Sequence, residues 1–225
     1  MDDRLNCMPV NFDRLARIYR VLEYVAFGRD LERARFHFLS ELANSRQILV
    51  LGEGDGRCLE RLVEIAPAAC IHCYDASPAM LACSDARLSR RDVRSRVTFH
   101  HADVLQMNFD PERYDAVVTM FFLDCFSPAQ VTTLVAKVTP CLKASGLWLF
   151  ADFVLPRQGA ARWRAHVWLT VLYRFFRWQT GLATQSLPPS EEILRSQGLH
   201  RIAIRDFQGG LVRSAVYERD TWEQM

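Results

Sequence analysis

Three glycines at alternate positions, Gly52, Gly54 and Gly56, follow the apolar residues Ile48-Leu49-Val50-Leu51 and precede an amphipathic run, Cys58-Leu59-Glu60-Arg61-Leu62-Val63. A strand that runs into glycines and then a helix can hold a nucleotide-like ligand. Glycine adopts backbone angles that other residues avoid and lets a ligand approach the main chain. The start of the helix offers unpaired N–H groups. Two acids stand where later strands end: Asp75 closes the run Cys70 to Tyr74, and Asp103 follows Val97 to His100. A carboxylate at the first place can accept both hydroxyl protons of a ribose, and one at the second can take the exocyclic amine of adenine. One strand-terminal Asp is unremarkable, since turns favour it. Two in register with a glycine turn describe a nucleoside pocket.

The elements that must position these residues alternate along the chain. Strands are predicted at Ile48 to Leu51, Cys70 to Tyr74, Val97 to His100, Tyr114 to Met120 and, after a turn at Ser145-Gly146, Leu147 to Phe150. Between them lie helices at Leu59 to Ile65, stopped by Pro67, after the cap Ser77-Pro78, and at Ala129 to Val138 after Ser127-Pro128. Strands apolar on both faces that alternate with helices predict an α/β fold, a doubly wound sheet. Ile202 to Phe207 and Val212 to Tyr217 join at Gly209-Gly210 as a final hairpin, giving seven strands: five parallel plus the C-terminal hairpin. The expected organisation is one domain, with an N-terminal helical layer (1–45), a ligand-binding core (46–152), an aromatic and basic helical insertion or lid (153–190) and a C-terminal helix and hairpin (191–225). In the first of these, Leu31, Ala34, Phe38 and Leu42 read as one helix.

A chain of 225 residues, half apolar and a quarter charged, suits a soluble globular domain. Its net charge of +2 is too small to imply nucleic-acid binding. The seven cysteines are scattered, and Cys70-Ile71-His72-Cys73 has the spacing of a redox or zinc half-site without a second pair. No metal is expected. No apolar run resembles a signal peptide or membrane span, so the expectation is a reduced, cytoplasmic enzyme.

The dinucleotide fingerprint G-x-G-x-x-G requires glycine at 57, where this chain has Arg57. The pattern is G-x-G-x-G, and the sequence resembles the class I S-adenosylmethionine-dependent methyltransferases from about Asn11 to Tyr217. The resemblance rests on Val50 to Arg57, Tyr74 to Leu81, His101 to Val104, Tyr114 to Phe122 and Leu142 to Phe150, in that order. It implies a Rossmann-like fold with S-adenosyl-L-methionine as cofactor. By the same implication Gly52, Gly54 and Gly56 line the methionine part, Asp75 with Ala76 holds the ribose, Met80 packs on the adenine and Asp103 with Val104 contacts its amine. Met120 and Phe121 border the methyl-transfer site. Family members usually carry an acid two residues before the first glycine, where this chain has Val50. Glu53 or Asp55, inside the turn, is the candidate replacement facing the cofactor's ammonium.

Methyl transfer from a sulfonium needs alignment and exclusion of water, and a general base only if the acceptor must lose a proton. The candidate bases are Asp124 and His166, with His101 and Tyr19 behind them. Candidate acceptor contacts are Tyr19, Phe121, Phe122 and Trp163. Between Phe153 and Ser190 there is no acidic residue, while seven aromatics and five arginines occupy the segment. Its aromatic face suggests a small hydrophobic or aromatic acceptor, and its basic face leaves open peripheral membrane contact through residues 160–178. The acceptor atom, O, N or C, is open. The alternative is a non-catalytic member of the fold that binds the cofactor or a partner.

Overall fold

A computed structural model describes residues 29–89, 94–154 and 187–220. Tyr19, Trp163, His166 and the 160–178 segment lie outside the described residues. Helix α1 spans Asp30–Phe36, and the rest of the expected helix is a separate 3-10 turn at Leu39–Leu42. The sheet strands are β1 Gln47–Leu51, β2 Cys70–Asp75, β3 Val97–His101, β4 Tyr114–Met120, β5 Leu142–Phe153, β6 Leu199–Phe207 and β7 Val212–Arg219. Between them run α2 Arg57–Ile65, α3 Pro78–Leu88, α4 Pro128–Val138 and α5 Ser190–Ser196.

The strand order is β3-β2-β1-β4-β5-β7-β6, with β1 to β5 mutually parallel and β7 antiparallel to both its neighbours. The order reverses between β1 and β4, and in such sheets ligands bind outside the carboxyl ends of the strands at that reversal. Alternation along β1 divides the core. Ile48 and Val50 pack with α2 and α3 on one face, while Leu49 and Leu51 pack with α4 and α5 on the other.

Local sequence sets the helix starts. The Ser77 hydroxyl accepts the Met80 N–H (3.3 Å) with Pro78 at the first helical position. Ser127 and Gln130 cap each other's backbone N–H groups in a full capping box. The clearest departure from expectation is β5. It begins at Leu142, and the expected turn at Ser145-Gly146 is an irregularity inside the strand, where the register with β4 shifts between Tyr114 and Ala116. Ser145 takes a φ of 56° there, and the strand resumes because its partner β4 continues past the bulge. Cys70 and Cys73, three apart on a strand, point to opposite faces, one exposed and one buried. They form no half-site, and among the described residues no group of three or more His, Cys, Asp or Glu could hold a metal ion. No described helix is long and apolar enough to cross a membrane.

Candidate active site

The chain leaves β1 through three glycines with φ of 66°, 72° and 84°. Each needs its glycine, for a different reason. A Cβ on Gly52 would stand 1.9 Å from the Phe122 ring, and one on Gly56 would stand 2.8 Å from the Ser84 backbone of α3. One on Gly54 would meet nothing within 4 Å. Gly52 thus lets the segment after β4 close over the turn, and Gly56 lets α2 and α3 approach. Gly54 faces open space, with its N–H on Asp75 and its carbonyl accepting from the Ser84 hydroxyl.

The two acids inside the turn face inward. The Glu53 carboxylate accepts the Leu59 N–H (3.0 Å) in the first turn of α2, doing the work of an N-cap where Gly56 has no side chain. Burial pushes it up to about 7, against the lowering effect of that hydrogen bond and of the Arg35 charge. Asp55 bonds Arg57 Nε (3.0 Å), lies 3.5 Å from Arg87 Nη2, and its carbonyl accepts from Arg87 Nε (2.9 Å). Burial raises the Asp55 carboxyl, but the two arginines outweigh it and hold it below the usual range. Both acids shape the turn, Glu53 through the start of α2 and Asp55 through its arginines. Val50, the departure from the family pattern, is buried in the core.

Glu53 makes a testable link between pH and stability. Its folded value lies above the unfolded one, so its stabilising contribution is complete below about pH 4.5 and is lost as pH rises through 7. Glu53→Gln keeps a carbonyl acceptor and cannot ionise. Between pH 5 and pH 8 the unfolding free energy of the wild type should fall relative to that of the variant by at most about 3 kcal/mol. Urea unfolding at the two pH values measures this, and a constant difference would contradict it.

Asp75, at the end of β2, ties the turn to α3. Its two carboxylate oxygens accept from Gly54 N–H (3.2 Å) and Ser77 N–H (2.8 Å). Desolvation raises its pKa despite those two bonds, and the remaining lone pairs of a half-buried carboxylate suit ribose hydroxyls. Ala76 is exposed beside it, its carbonyl 3.1 Å from His101 Nε2. Met80 is half-buried in the first turn of α3. Asp103 is exposed and caps a short turn through the Leu105 N–H (3.0 Å). The Val104 side chain is buried in the core, so only its main chain can face a ligand.

Across the turn, β4 ends in Met120, 8 % exposed. Phe121 has a φ of 55° and donates its N–H to the Ala151 carbonyl (2.7 Å). A bulky residue held in the left-handed region is strained and persists only where its surroundings fix it. That conformation sends Phe121 toward α1 and Phe153 while Phe122 lies on Gly52 and against Phe126.

The next turn brings Asp124 against Asp152, a residue that sequence reasoning did not single out as functional. Asp152 Oδ2 accepts the Asp124 N–H (3.0 Å), Oδ1 accepts the Phe153 N–H (2.9 Å), and Cys125 Sγ donates to Asp124 Oδ1 (3.6 Å). The Asp124 N–H bond brings the two carboxyl groups into one electrostatically coupled unit. Desolvation raises both, Asp124 to about 6, and their mutual repulsion raises Asp152 further. They titrate as a unit. Asp124 follows β4 and Asp152 is in the last residues of β5, so the pair lies at the carboxyl ends of these strands, the same edge of the parallel sheet at which β2 ends in Asp75.

Residues 48–146 match a family model described as a methyltransferase domain. That match supports methyl transfer with S-adenosylmethionine as cofactor. The fold is shared with solved structures of low identity. An O-methyltransferase family 2 protein from Planctomyces limnophilus, in complex with apigenin, is 18 % identical with a TM-score of 0.69, covering 96 % of this chain and 63 % of that one. The 1,6-didemethyltoxoflavin-N1-methyltransferase of Burkholderia thailandensis, with 1,6-didemethyltoxoflavin and S-adenosylhomocysteine bound, is 18 % identical with a TM-score of 0.61, covering 98 % and 93 %. The N-methyltransferase NodS of Bradyrhizobium japonicum is 18 % identical with a TM-score of 0.59, covering 84 % and 97 %. A search of curated protein sequences found no match. The site fits this cofactor: open space at Gly54, a carboxylate at Asp75 with acceptor capacity left, and the half-buried Met80 in the first turn of α3.

Proposed function

We propose that this methyltransferase acts on a small hydrophobic or aromatic acceptor whose nucleophile is an O–H or N–H group, and that the Asp124–Asp152 pair takes its proton. The observation that carries the proposal is a buried carboxyl pair, joined through the Asp124 N–H on Asp152 Oδ2, at the carboxyl ends of β4 and β5. S-adenosylmethionine, when bound, supplies a methyl group on a sulfonium that departs as a neutral thioether, so the leaving group needs no acid. The chain's own contribution is alignment, exclusion of water and removal of one proton. Phe121 and Phe122 give the rim an apolar wall. The singly protonated pair is the competent base. It accepts the acceptor's proton at Asp124, becomes neutral as the new bond to the methyl carbon forms, and returns the proton to water after product leaves. Two of the similar structures hold small molecules, apigenin and 1,6-didemethyltoxoflavin, in keeping with an acceptor of that size.

The test is release of S-adenosylhomocysteine across a panel of phenols, enols and ring N–H compounds between pH 5 and pH 9. Turnover is expected with members of that panel, rising with pH to a plateau through an apparent pKa near 6. A pH-independent rate, or turnover confined to acceptors with no proton to lose, overturns the proposal.

A further inference from the structure

We propose that Ser84, in the second turn of α3, is a positioning residue for the cofactor: its hydroxyl sets the plane of the Gly54–Asp55 peptide in the glycine turn. The proposal rests on the cofactor reading and is independent of the acceptor and its base.

Ser84 interrupts an apolar stripe. The buried face of α3 consists of Leu81, Ser84 and Leu88, at helical spacing, and Ser84 is 1 % exposed. A hydroxyl without a partner is costly at such a place, and a helical serine can find one in the carbonyl four residues back. Ser84 reaches out of its helix instead and donates to the Gly54 carbonyl (2.9 Å). The approach is close: a Cβ on Gly56 would stand 2.8 Å from Ser84 Cα and 3.0 Å from its Oγ.

The turn needs such a hold. Gly54 has a φ of 72° and, where its side chain would stand, nothing within 4 Å. Packing therefore does little to fix its peptide units, and hydrogen bonds must. Three main-chain groups in succession are held by side chains of β2 and α3. Asp75 Oδ2 accepts the Gly54 N–H (3.2 Å), Ser84 donates to the Gly54 carbonyl, and Arg87 Nε donates to the Asp55 carbonyl (2.9 Å). In a planar trans peptide the N–H points opposite to the C=O. Drawing both carbonyls onto α3 thus turns the Asp55 and Gly56 N–H groups away from that helix. Losing the hydroxyl leaves the Gly54 carbonyl without its donor, and glycine is free to rotate and seek water.

Among the three holders, Ser84 isolates this task. Asp75 is also the ribose-side carboxylate, and Arg87 also pairs with the side chains of Asp55 and Glu60. The methionine part of the cofactor is the part assigned to the glycines, so its hold on the chain should depend on Ser84 while that of the adenosine part should not.

The experiment measures S-adenosylhomocysteine and 5′-methylthioadenosine by calorimetry. The second ligand keeps the adenosine and the sulfur and lacks the amino-acid end. Ser84→Ala is expected to weaken S-adenosylhomocysteine by about 5- to 30-fold, the range for a carbonyl that loses its donor, and 5′-methylthioadenosine by less than about two-fold. Ser84→Cys keeps a weak donor and should lie between the wild type and Ser84→Ala. A serine that only stabilises the helix contact would weaken both ligands alike, so equal weakening overturns the proposal, as does unchanged affinity for S-adenosylhomocysteine. If the wild type bound neither ligand, the cofactor reading would fail instead, so the two failures are distinguishable.

Discussion

Asp124→Asn is expected to lower kcat by about 10²- to 10³-fold, within the range of general-base catalysis, while S-adenosylhomocysteine affinity changes less than about two-fold. Asn matches Asp in size and cannot take up a proton at this position. It keeps the backbone N–H of residue 124 on Asp152 Oδ2 and leaves the Phe153 N–H on Oδ1. The contacts that hold the turn survive, and what disappears is the site that accepts a proton. Stability separates this from a structural role. Both acids have folded pKa values above their unfolded ones, so their contribution is complete at low pH and is lost as pH rises through those values. Removing one of them should leave the melting temperature at pH 8 unchanged or raised. A variant with full kcat, or one that loses cofactor affinity and activity together, would exclude the pair as the base.

Gly52→Ala is expected to abolish cofactor binding by deforming the turn, with a stability loss of about 3 kcal/mol. Roughly 1–2 kcal/mol comes from an L-residue forced into the left-handed region, and the rest from displacing the Phe122 ring that a methyl group would meet at 1.9 Å. Adding Phe122→Ala to Gly52→Ala should relieve the collision and leave the backbone strain. Gly54→Ala provides the contrast. The φ is similarly positive, but nothing lies within 4 Å of the added Cβ. It should cost about 1–2 kcal/mol of stability and still weaken S-adenosylhomocysteine by about 30-fold or more, because the methyl projects into the space meant for ligand. Thermal melts and calorimetry on the two variants read fold damage and ligand damage separately. Similar stability losses in both would refute the division of labour within the turn.

Much of the fold was legible because its determinants are local. Four consecutive apolar residues at Ile48 to Leu51, glycines at alternate positions, and Ser-Pro pairs at Ser77 and Ser127 act over a few residues, and each lies where expected. The start of β5 was not legible. Ser145-Gly146 reads as a turn in isolation, and only hydrogen bonding to β4 makes it a bulge within one strand. The expected helix through Phe38 and Leu42 fails for a comparable reason: after Phe36 the chain tightens into a 3-10 turn whose Leu39 and Leu42 are drawn into the core under the sheet.

The sequence by itself determined the strand–glycine–helix unit, the acids at the ends of β2 and β3, and with them the kind of cofactor. Those features depend on residue type and spacing along one stretch of chain. Tertiary structure alone decided which way the charges face. Glu53 and Asp55 lie next to the glycines in sequence, yet the α2 N-terminus and two arginines turn them inward, since a buried carboxylate is costly unless it finds donors. Asp124 and Asp152 are 28 residues apart and become one titrating unit only because β4 and β5 end side by side. Arg35 lies over the Phe121 ring at the end of β4 because α1 packs on the last hairpin, which brings a residue from before the first strand to that place.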